Sequence, residues 1–269
     1  MSDVIKLSSR PTREFWEVPV LYEDGQLLAL DKPARMLTSP DRYDPNRPNL
    51  MKLLHAGIAA GAPWARERGL TYLMNAHRLD FETSGIILLA KTKPVLVELA
   101  NLFATEKPAK RYVALVHGNP VQESFEVDAK LAPHPVKVGL VRVDEKDGKR
   151  ARTLFELREK FNGYSLMDCR PITGRTHQIR VHLRQAGLPI VGDVLYGGGL
   201  LLLSRLKSDY RLKHNKTERP LLDRTALHAA ELKLANPVTG AEAVITAPWP
   251  KDLTVAVKYL QRYAPHRTR

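Results

Sequence analysis

The sequence is poor in cysteine and has no long apolar run. Its 269 residues include one cysteine, Cys169, which excludes an intramolecular disulfide and a zinc site built from several cysteines. This usage is typical of a reducing cytosol, so we expect a cytoplasmic protein. The longest apolar runs, residues 86–90 and 200–203, are far shorter than the roughly 20 residues that span a bilayer. We expect no membrane segment.

Signal, linker and nucleotide motifs are also missing. Residues 1–15 contain no apolar stretch of the kind that a secretory signal requires. Because no Gly-, Pro- or Ser-rich linker divides the chain, we predict a short arm at residues 1–17 and one domain at 18–265. No G-x-x-x-x-G-K, G-x-G-x-x-G or G-x-S-x-G pattern occurs, which speaks against nucleotide-driven and redox chemistry.

The sequence is rich in positive charge, and its composition is otherwise that of an ordinary globular protein. The chain is 43% hydrophobic and 26% charged, and 42 Lys and Arg against 29 Asp and Glu leave a net charge of +13. Such a balance suits a polyanionic partner, and nucleic acid is the first candidate. A solvated surface that only maintains solubility is the alternative.

The residue pattern predicts an α+β fold, with a mixed, mainly antiparallel sheet and flanking helices. Asn162-Gly163 between two β-like runs is a strong hairpin signal, which favours antiparallel pairing. Helical spacing followed by Gly61 marks one helix end. The predicted strands are residues 26–30, 72–76, 86–90, 111–116, 125–130, 154–161, 164–169, 227–234 and 244–247, and the predicted helices are 50–60, 93–103, 176–185 and 253–263.

Two segments concentrate ionisable side chains. Residues 77–85 form a polar loop between apolar runs, where catalytic groups gather, although a plain salt-bridged loop would look the same. Residues 174–183 open a predicted helix on which His177, Arg180 and Arg184 would share one face. That face could meet phosphate or could simply be solvated. His177 and His182 lack the four-residue spacing and the intervening glutamate of a zinc helix, so we expect no metal.

A third segment, residues 110–116, places a tyrosine on a predicted strand. Tyr112 would lie on one strand face with Ala114 and Val116, opposite Arg111. A packed core tyrosine is the default interpretation of such a position.

Together these segments resemble the RluA-type pseudouridine synthases, which isomerise uridine in structured RNA. The resemblance lies in HRLD at residues 77–80 followed by TSG at 83–85, in KRYVA at 110–114, and in GRTHQIRVH at 174–182, in this order. Weaker matches are LALDKP at 28–33, IVGD at 190–193 with YG at 196–197, and LHA at 227–229. The resemblance extends from about residue 18 to residue 263.

The resemblance implies a catalytic site made of Asp80, Tyr112 and Arg180. Asp80 would be the catalytic aspartate, acting either as a nucleophile or by stabilising positive charge at the sugar, and both roles need the ionised carboxylate. Arg180 would pair with Asp80 and favour its ionised form. Tyr112 would pack against the target base, and stacking alone or proton transfer are both open roles.

The resemblance also implies contacts with RNA. The target uridine would be turned out of its stack, and the guanidinium of Arg78 would fill the gap. A basic insertion at about residues 200–224 is a candidate for substrate selectivity, or else an ordinary surface loop. The remaining residues expected to bind RNA are Lys110, Arg111, Arg175, His177 and Gln178.

The resemblance implies an isomerase that needs neither an organic cofactor nor a metal. We expect a monomer acting on structured RNA, with ribosomal and transfer RNA both open. The rival interpretations are a catalytically silent RNA-binding or ribosome assembly protein on the same fold, and an RNA methyltransferase. The acidic Asp80 is not needed for pure binding, and no glycine-rich loop for a methyl donor is evident.

The chain departs from the family pattern in two places. Relatives usually carry a glycine and a histidine after Lys-Pro, where this chain has residues 34–40, so we do not expect that loop to contact substrate in the usual way. Some relatives also carry a small basic RNA-binding domain before the catalytic one. We expect none here, because about 17 residues precede the matched region.

Overall fold

The computed structural model describes residues 3–41, 44, 46–212 and 216–266. The strands are β1 (Val4–Ser9), β2 (Glu14–Glu23), β3 (Leu27–Lys32), β4 (Met74–Asn75), β5 (Ser84–Ala90), β6 (Ala109–His117), β7 (Ser124–Pro133), β8 (Val141–Val143), β9 (Lys149–Phe161), β10 (Tyr164–Pro171), β11 (Leu227–Ala235) and β12 (Glu242–Thr246). The helices are α1 (Leu50–Ala59), α2 (Pro63–Glu67), α3 (Lys93–Ala104), α4 (Gln178–Gln185), α5 (Leu203–Leu206) and α6 (Lys251–Tyr263), with a 3₁₀ turn at Val194–Tyr196.

The predicted α+β class with a mainly antiparallel sheet is confirmed. Each segment predicted as a strand or helix overlaps an observed element of the same type. The predicted hairpin is present, since Phe161 and Tyr164 face each other across Asn162-Gly163 and Gly163 has φ 77. No residue pattern indicated β1, β2, β8, α2 or α5.

The chain forms two compact units. The first is Met1–Lys110 with Ala229–Pro248, and the second is Arg111–His228 with Trp249–Arg269. Within the predicted N-terminal arm, β1 pairs antiparallel with β2, and β2 runs across the predicted boundary between residues 17 and 18. The partition into an arm and one domain stays a prediction.

In the first unit, a sheet lies between two apolar layers. Strands β1, β2, β3 and β5 pair antiparallel in that order, and β11 pairs with β12. Alternate residues of β5 serve opposite layers, since Ile87 and Leu89 pack with α1 and α2 whereas Ile86 and Leu88 pack with α3. This two-sided burial explains why β5 is apolar throughout. Each such side chain contributes about 1.5–3 kcal/mol on burial.

Gly85 opens β5 at a place where no side chain fits. Its φ is 109, and a Cβ added to it would lie 2.3 Å from the carbonyl oxygen of Ala229. The position therefore needs glycine for its conformation and for the close approach of β11. Gly85 thus fixes the end of the loop that begins at His77.

The second unit is an antiparallel sheet with the strand order β6, β10, β9, β7, β8. Helix α4 packs on this sheet through Val181, which joins Leu131, Ala151 and Tyr196 in one apolar cluster. The fully buried His182 of α4 meets Thr153 of β9, with Nδ1 and Oγ1 2.9 Å apart. These contacts fix the helix that carries Arg180.

In the described part of the chain, no helix combines the length and the apolar character that a membrane crossing requires.

Candidate active site

The loop that contains Asp80 is tethered where it begins, in the first unit. Asn75 donates from Nδ2 to the carbonyl oxygen of His77 over 2.9 Å. The His77 ring accepts a hydrogen bond at Nε2 from the Leu88 backbone N–H over 3.1 Å. The same ring stacks on Phe103 with the two centroids 5.0 Å apart. His77 is therefore an anchor of the loop.

The surroundings of His77 keep its imidazole neutral. Burial, aided by the nearby Lys110 ammonium, lowers the pKa of His77 from 6.5 to about 4. Because Nε2 accepts a hydrogen bond, the ring proton lies on Nδ1. Burial also lowers the pKa of Lys110, and the Glu106 carboxylate opposes that shift. Lys110, which the sequence assigned to RNA binding, is half-buried beside this anchor.

Hydrogen bonds hold both Leu79 and the Asp80 carbonyl group in the loop. The Thr38 hydroxyl donates to the Leu79 carbonyl oxygen and accepts from the Leu79 N–H, each over 3.1 Å. The Thr83 N–H then donates to the Asp80 carbonyl oxygen over 3.2 Å. Leu79 is buried, Asp80 half-buried and Arg78 exposed. The loop therefore presents Arg78 to solvent and keeps Asp80 partly accessible.

Strand β6 carries Tyr112 and Arg111 into the second unit. Tyr112 is half-buried and faces Cys169 across the β6–β10 pairing. The Arg111 guanidinium lies 3.2 Å from Asp168 Oδ1, and Arg158 lies 3.4 Å from the same oxygen. One carboxylate thus partners two guanidinium groups, which holds Arg111 against the sheet.

Helix α4 begins later than the sequence predicted. Its first residue is Gln178, and His177 is the N-cap with φ 53, a left-handed conformation that is unfavourable for a residue other than glycine. The prediction that His177 shares a helix face with Arg180 and Arg184 is therefore wrong. Arg180 is only 6% exposed whereas Arg184 is exposed, so they do not form one solvated face.

Arg180 is a buried cation with a buried counterion. Its Nε donates to Asp193 Oδ2 over 2.7 Å and its Nη2 to Asp193 Oδ1 over 2.8 Å. The guanidinium also lies over the Tyr196 ring, with Cζ 4.8 Å from the centroid. Two parallel charge-assisted hydrogen bonds and a ring face hold the group in one orientation.

Tyr196 connects three elements through its hydroxyl group. Oη accepts from the Val141 backbone N–H over 2.9 Å and lies 2.8 Å from His177 Nδ1. The phenol proton can then be donated to Nδ1, which places the ring proton of a neutral His177 on Nε2. Strand β8, the start of α4 and the 3₁₀ turn are thereby joined beside Arg180.

Gln178 is occupied by contacts within the chain. Its Oε1 accepts from Thr173 Oγ1 over 2.6 Å and from the Arg175 N–H over 3.0 Å, and its Nε2 donates to the Arg152 carbonyl oxygen over 2.9 Å. Gln178 is 4% exposed. Arg175 is exposed and donates from Nε to the Arg150 carbonyl oxygen over 3.0 Å. The amide of Gln178 therefore sets the backbone that presents Arg175.

The basic insertion is less uniform than the sequence suggested. Arg224 is 5% exposed, and its Nε and Nη2 donate to Asp252 over 2.7 Å and 3.0 Å. Arg224, at the end of the predicted insertion, is therefore a buried cation paired within the fold. Arg211, Lys216 and Arg219 are exposed. Lys213 lies outside the described residues.

The predicted site residues divide between the two units. The first unit holds Asp80 with Arg78 and Lys110, and the second holds Arg111, Tyr112, Arg175, His177, Gln178 and Arg180. The pairing of Asp80 with Arg180 stays a prediction. The sequence analysis assigned no role to Asp193 or Tyr196, although both lie in a weaker matched segment, and the structure shows both beside Arg180.

Comparisons with known proteins identify the family to which the chain is similar. A family model described as RNA pseudouridylate synthase matches residues 26–185. A Zymomonas mobilis protein named ribosomal large subunit pseudouridine synthase D is 34% identical over 244 residues, which are 90% of this chain and 72% of that protein. A Xanthomonas campestris protein of the same name is 34% identical over 87% of this chain and 66% of its own length. The chain thus spans about two thirds of that relative.

A solved structure shows the same fold. Human RNA pseudouridylate synthase domain containing 4 aligns over 90% of this chain and 92% of its own, with a TM-score of 0.66 and 22% sequence identity. The family match and the relatives therefore show the family that the motifs indicated. The chain belongs to the RNA pseudouridylate synthase family, and it is an isomerase that acts on RNA.

Proposed function

We propose that this protein converts uridine to pseudouridine in large-subunit ribosomal RNA, with Asp80 as the catalytic residue. The observation that carries the proposal is the loop around Asp80, which is held by hydrogen bonds at Leu79 and at the Asp80 carbonyl group and in which Asp80 is half-buried. The ribosomal substrate rests on the names of the relatives. Transfer RNA is the competing substrate class.

The reaction breaks the bond between the uracil N1 and the ribose C1′ and forms a bond between C5 and C1′. The proton lost from C5 is balanced by the proton gained at N1, so no external donor and no redox partner is consumed. An ionised Asp80 can attack as a nucleophile or stabilise positive charge at C1′. The second route needs no covalent bond to the enzyme.

Arg180 would hold and charge-balance Asp80. Its guanidinium is buried and already oriented by Asp193 and Tyr196, so a second carboxylate would meet a group whose position is fixed. A rigid cation loses little freedom when it pairs, which makes it an effective electrostatic partner. Tyr112 would lie against the target base, either stacking on it or moving the proton between C5 and N1.

RNA binding would use basic residues of both units, some of them exposed and others half-buried. Arg78 is exposed next to Asp80, where it can occupy the space left by an everted uridine. Arg175 and His177, with Lys110 and Arg111, would contact the backbone nearby. Gln178 would act indirectly, because its amide sets the Arg175 backbone.

The test uses purified protein and RNA from cells that lack it. Without added metal or cofactor, wild type should form pseudouridine in large-subunit ribosomal RNA, and Asp80→Asn should form none. Glu82→Gln is the matched control, because it removes a carboxylate from the same loop and should remain active. Equal yields from wild type and Asp80→Asn would refute the catalytic assignment. Modification confined to transfer RNA would overturn the substrate.

The exposed part of the basic insertion is proposed to hold the RNA backbone. Replacing Arg211, Lys216 and Arg219 by Ala should reduce the slope of log affinity against log salt concentration by about 1 for each phosphate that is no longer bound. The matched control replaces Lys6, Arg10 and Arg13, three exposed cations of the first unit, and should leave the slope unchanged. If the first triple variant keeps the wild-type slope, the insertion is an ordinary surface loop.

The location, metal requirement and oligomeric state of the enzyme are proposed as well. The single cysteine and the RNA substrate support a cytoplasmic location, and the reaction is proposed to need no metal. We also propose that the protein acts as a monomer. Sedimentation at micromolar concentration should give one species near the 30.3 kDa of the chain, and a dimer mass would contradict this.

A further inference from the structure

The segment at residues 33–38, which follows β3, is held in place through its backbone carbonyl groups. Lys32 has no exposed surface, and its ammonium group donates to the carbonyl oxygens of Pro33 and Met36 over 2.8 Å and 2.7 Å. Moving a buried ammonium group away from its oxygen partners costs free energy, because the buried charge would lose the hydrogen bonds that offset its desolvation. Residues 33–36 are therefore held at one end of the segment.

The other end of the segment is attached to the first turn of α1. The Leu50 N–H donates to the Leu37 carbonyl oxygen over 2.8 Å, and the Met51 N–H donates to the Thr38 carbonyl oxygen over 3.1 Å. These two donors are N–H groups that a helix leaves without partners of its own. The backbone of Thr38 is consequently as fixed as the helix that holds it.

From this fixed backbone, one hydroxyl group reaches the residue before Asp80. Thr38 is 2% exposed and Leu79 is 4% exposed. The Thr38 Oγ1 donates to the Leu79 carbonyl oxygen and accepts from the Leu79 N–H, 3.1 Å in each case. Both polar groups of the Leu79 backbone are thus satisfied by a single side chain that is 41 residues away in sequence.

We propose that Thr38 is a positioning residue for Asp80. The proposal rests on the proposed catalytic role of Asp80. The hydroxyl group restrains the peptide planes on both sides of Leu79, and the second of these planes carries the Asp80 nitrogen. The position of the Asp80 carboxyl group is therefore coupled to the segment at residues 33–38, which acts through the loop without touching the substrate.

Two substitutions separate the hydroxyl group from the rest of the side chain. Thr38→Val keeps the shape but loses both hydrogen bonds, so the Leu79 backbone can shift. Thr38→Ser keeps the hydroxyl and loses only a methyl group. Misplacement of a catalytic group by about 1 Å can reduce turnover by about 100-fold. Thr105→Val is the control, because Thr105 also bonds to backbone carbonyl oxygens, at the end of α3.

The experiment measures single-turnover rate and RNA affinity separately on each variant, with rates normalised to the fraction that binds RNA. Thr38→Val should lower the rate on the order of 10- to 100-fold with affinity within about threefold of wild type, and Thr38→Ser and Thr105→Val should stay within about threefold in both. An unchanged rate in Thr38→Val, an equal loss in Thr38→Ser, or failure of Thr38→Val to fold would overturn the proposal.

The same assay distinguishes this result from failure of the proposed function. Asp80→Asn is measured beside the Thr38 variants. If Asp80→Asn is inactive while Thr38→Val is fully active, only the positioning role is refuted. If Asp80→Asn itself retains wild-type turnover, the catalytic role of Asp80 is refuted and the positioning role with it.

Discussion

At the scale of single residues, the best-defined group of the site is the Arg180 guanidinium. Its partner Asp193 is 1% exposed, and two hydrogen bonds join them. In such a pair, desolvation of both charges is offset only while both partners are present. The pair therefore orients Arg180, and removing either member leaves the desolvation free energy of the other charge without compensation.

Asp193→Asn should be strongly destabilising. The substitution keeps the shape but leaves a buried cation without its counterion, so the free energy of unfolding should fall by about 3–5 kcal/mol. Urea unfolding measures this change. The control is Asp209→Asn, since the Asp209 carboxylate is 76% exposed and 3.5 Å from Lys207, and its loss should change stability by less than about 1 kcal/mol. Equal changes in the free energy of unfolding for the two variants would show that burial does not determine how much the Arg180–Asp193 pair contributes to stability.

Sequence could only propose Asp80 and Arg180 as site residues, because both lie in the motifs that carry the family resemblance. It could not identify the residues that hold these two side chains or their loop in place. Asp193 is 13 residues from Arg180, and Thr38 is 41 residues from Leu79, so only the folded chain brings these groups together. No periodicity or spacing rule connects positions that meet through loops.

At the scale of elements, the 3₁₀ turn at Val194–Tyr196 joins α4 to β8. The Tyr196 hydroxyl bonds to His177 at the start of α4 and to the Val141 N–H in β8, while its ring contacts Arg180. A single side chain thus links three short elements, none of which has a large apolar core of its own. The start of α4 depends on this link because His177 caps it without a side-chain bond to the helix.

Tyr196→Phe should destabilise the second unit and leave the ring over Arg180. The Val141 N–H would lose its partner in a partly buried contact, so the loss should lie toward the lower end of the range of about 1–3 kcal/mol that a buried unsatisfied donor costs. Urea unfolding should show a loss in that range. Tyr259→Phe is the control, on α6, and should stay within about 0.5 kcal/mol of wild type. A loss no larger than that in Tyr196→Phe would mean that the hydroxyl bonds contribute little.

The type of most elements followed from the sequence, but several boundaries did not. β5 and the Asn162-Gly163 hairpin were predictable because apolar runs and turn residues act locally. The start of α4 was not, because His177 adopts a left-handed conformation and meets Tyr196, a residue 19 positions away that no spacing rule connects to it. β1 and β2 were missed because charged residues and Pro19 interrupt their apolar pattern.

At the scale of the whole molecule, buried histidines link stability to pH. Burial lowers the pKa of His182 from 6.5 to about 4, and the pKa of His77 is lowered by burial to about 4 as well. Between these values the unfolded chain binds protons that the folded chain does not. The free energy of unfolding should therefore fall as pH decreases from about 6.5 to about 4.

His182→Asn should make this pH dependence shallower. Asn can keep a hydrogen bond to Thr153 but cannot titrate, so one histidine's contribution of up to about 1.4 kcal/mol per pH unit is removed. Urea unfolding of wild type and variant at several pH values between about 6 and 4.5 gives the two slopes. Carboxylates titrate in both proteins and cancel in the comparison. Identical slopes would contradict a neutral buried His182.

The net charge of +13 predicted a nucleic acid partner, and family membership confirms RNA as the substrate class. Charge alone could not say which cations face RNA. Arg224 is buried against Asp252, and Arg111 is paired with Asp168, so part of the positive charge has partners within the fold. Composition counts charges, whereas burial decides which of them a partner can reach.

The most direct test of this account is the single-turnover rate of Asp80→Asn on saturating RNA, measured together with its RNA affinity. We predict that affinity stays within about threefold of wild type while the rate falls by at least about 1,000-fold, because the substitution removes the reacting carboxylate and leaves the basic surface intact. Glu82→Gln should keep both values. A rate for Asp80→Asn close to that of wild type would contradict the account.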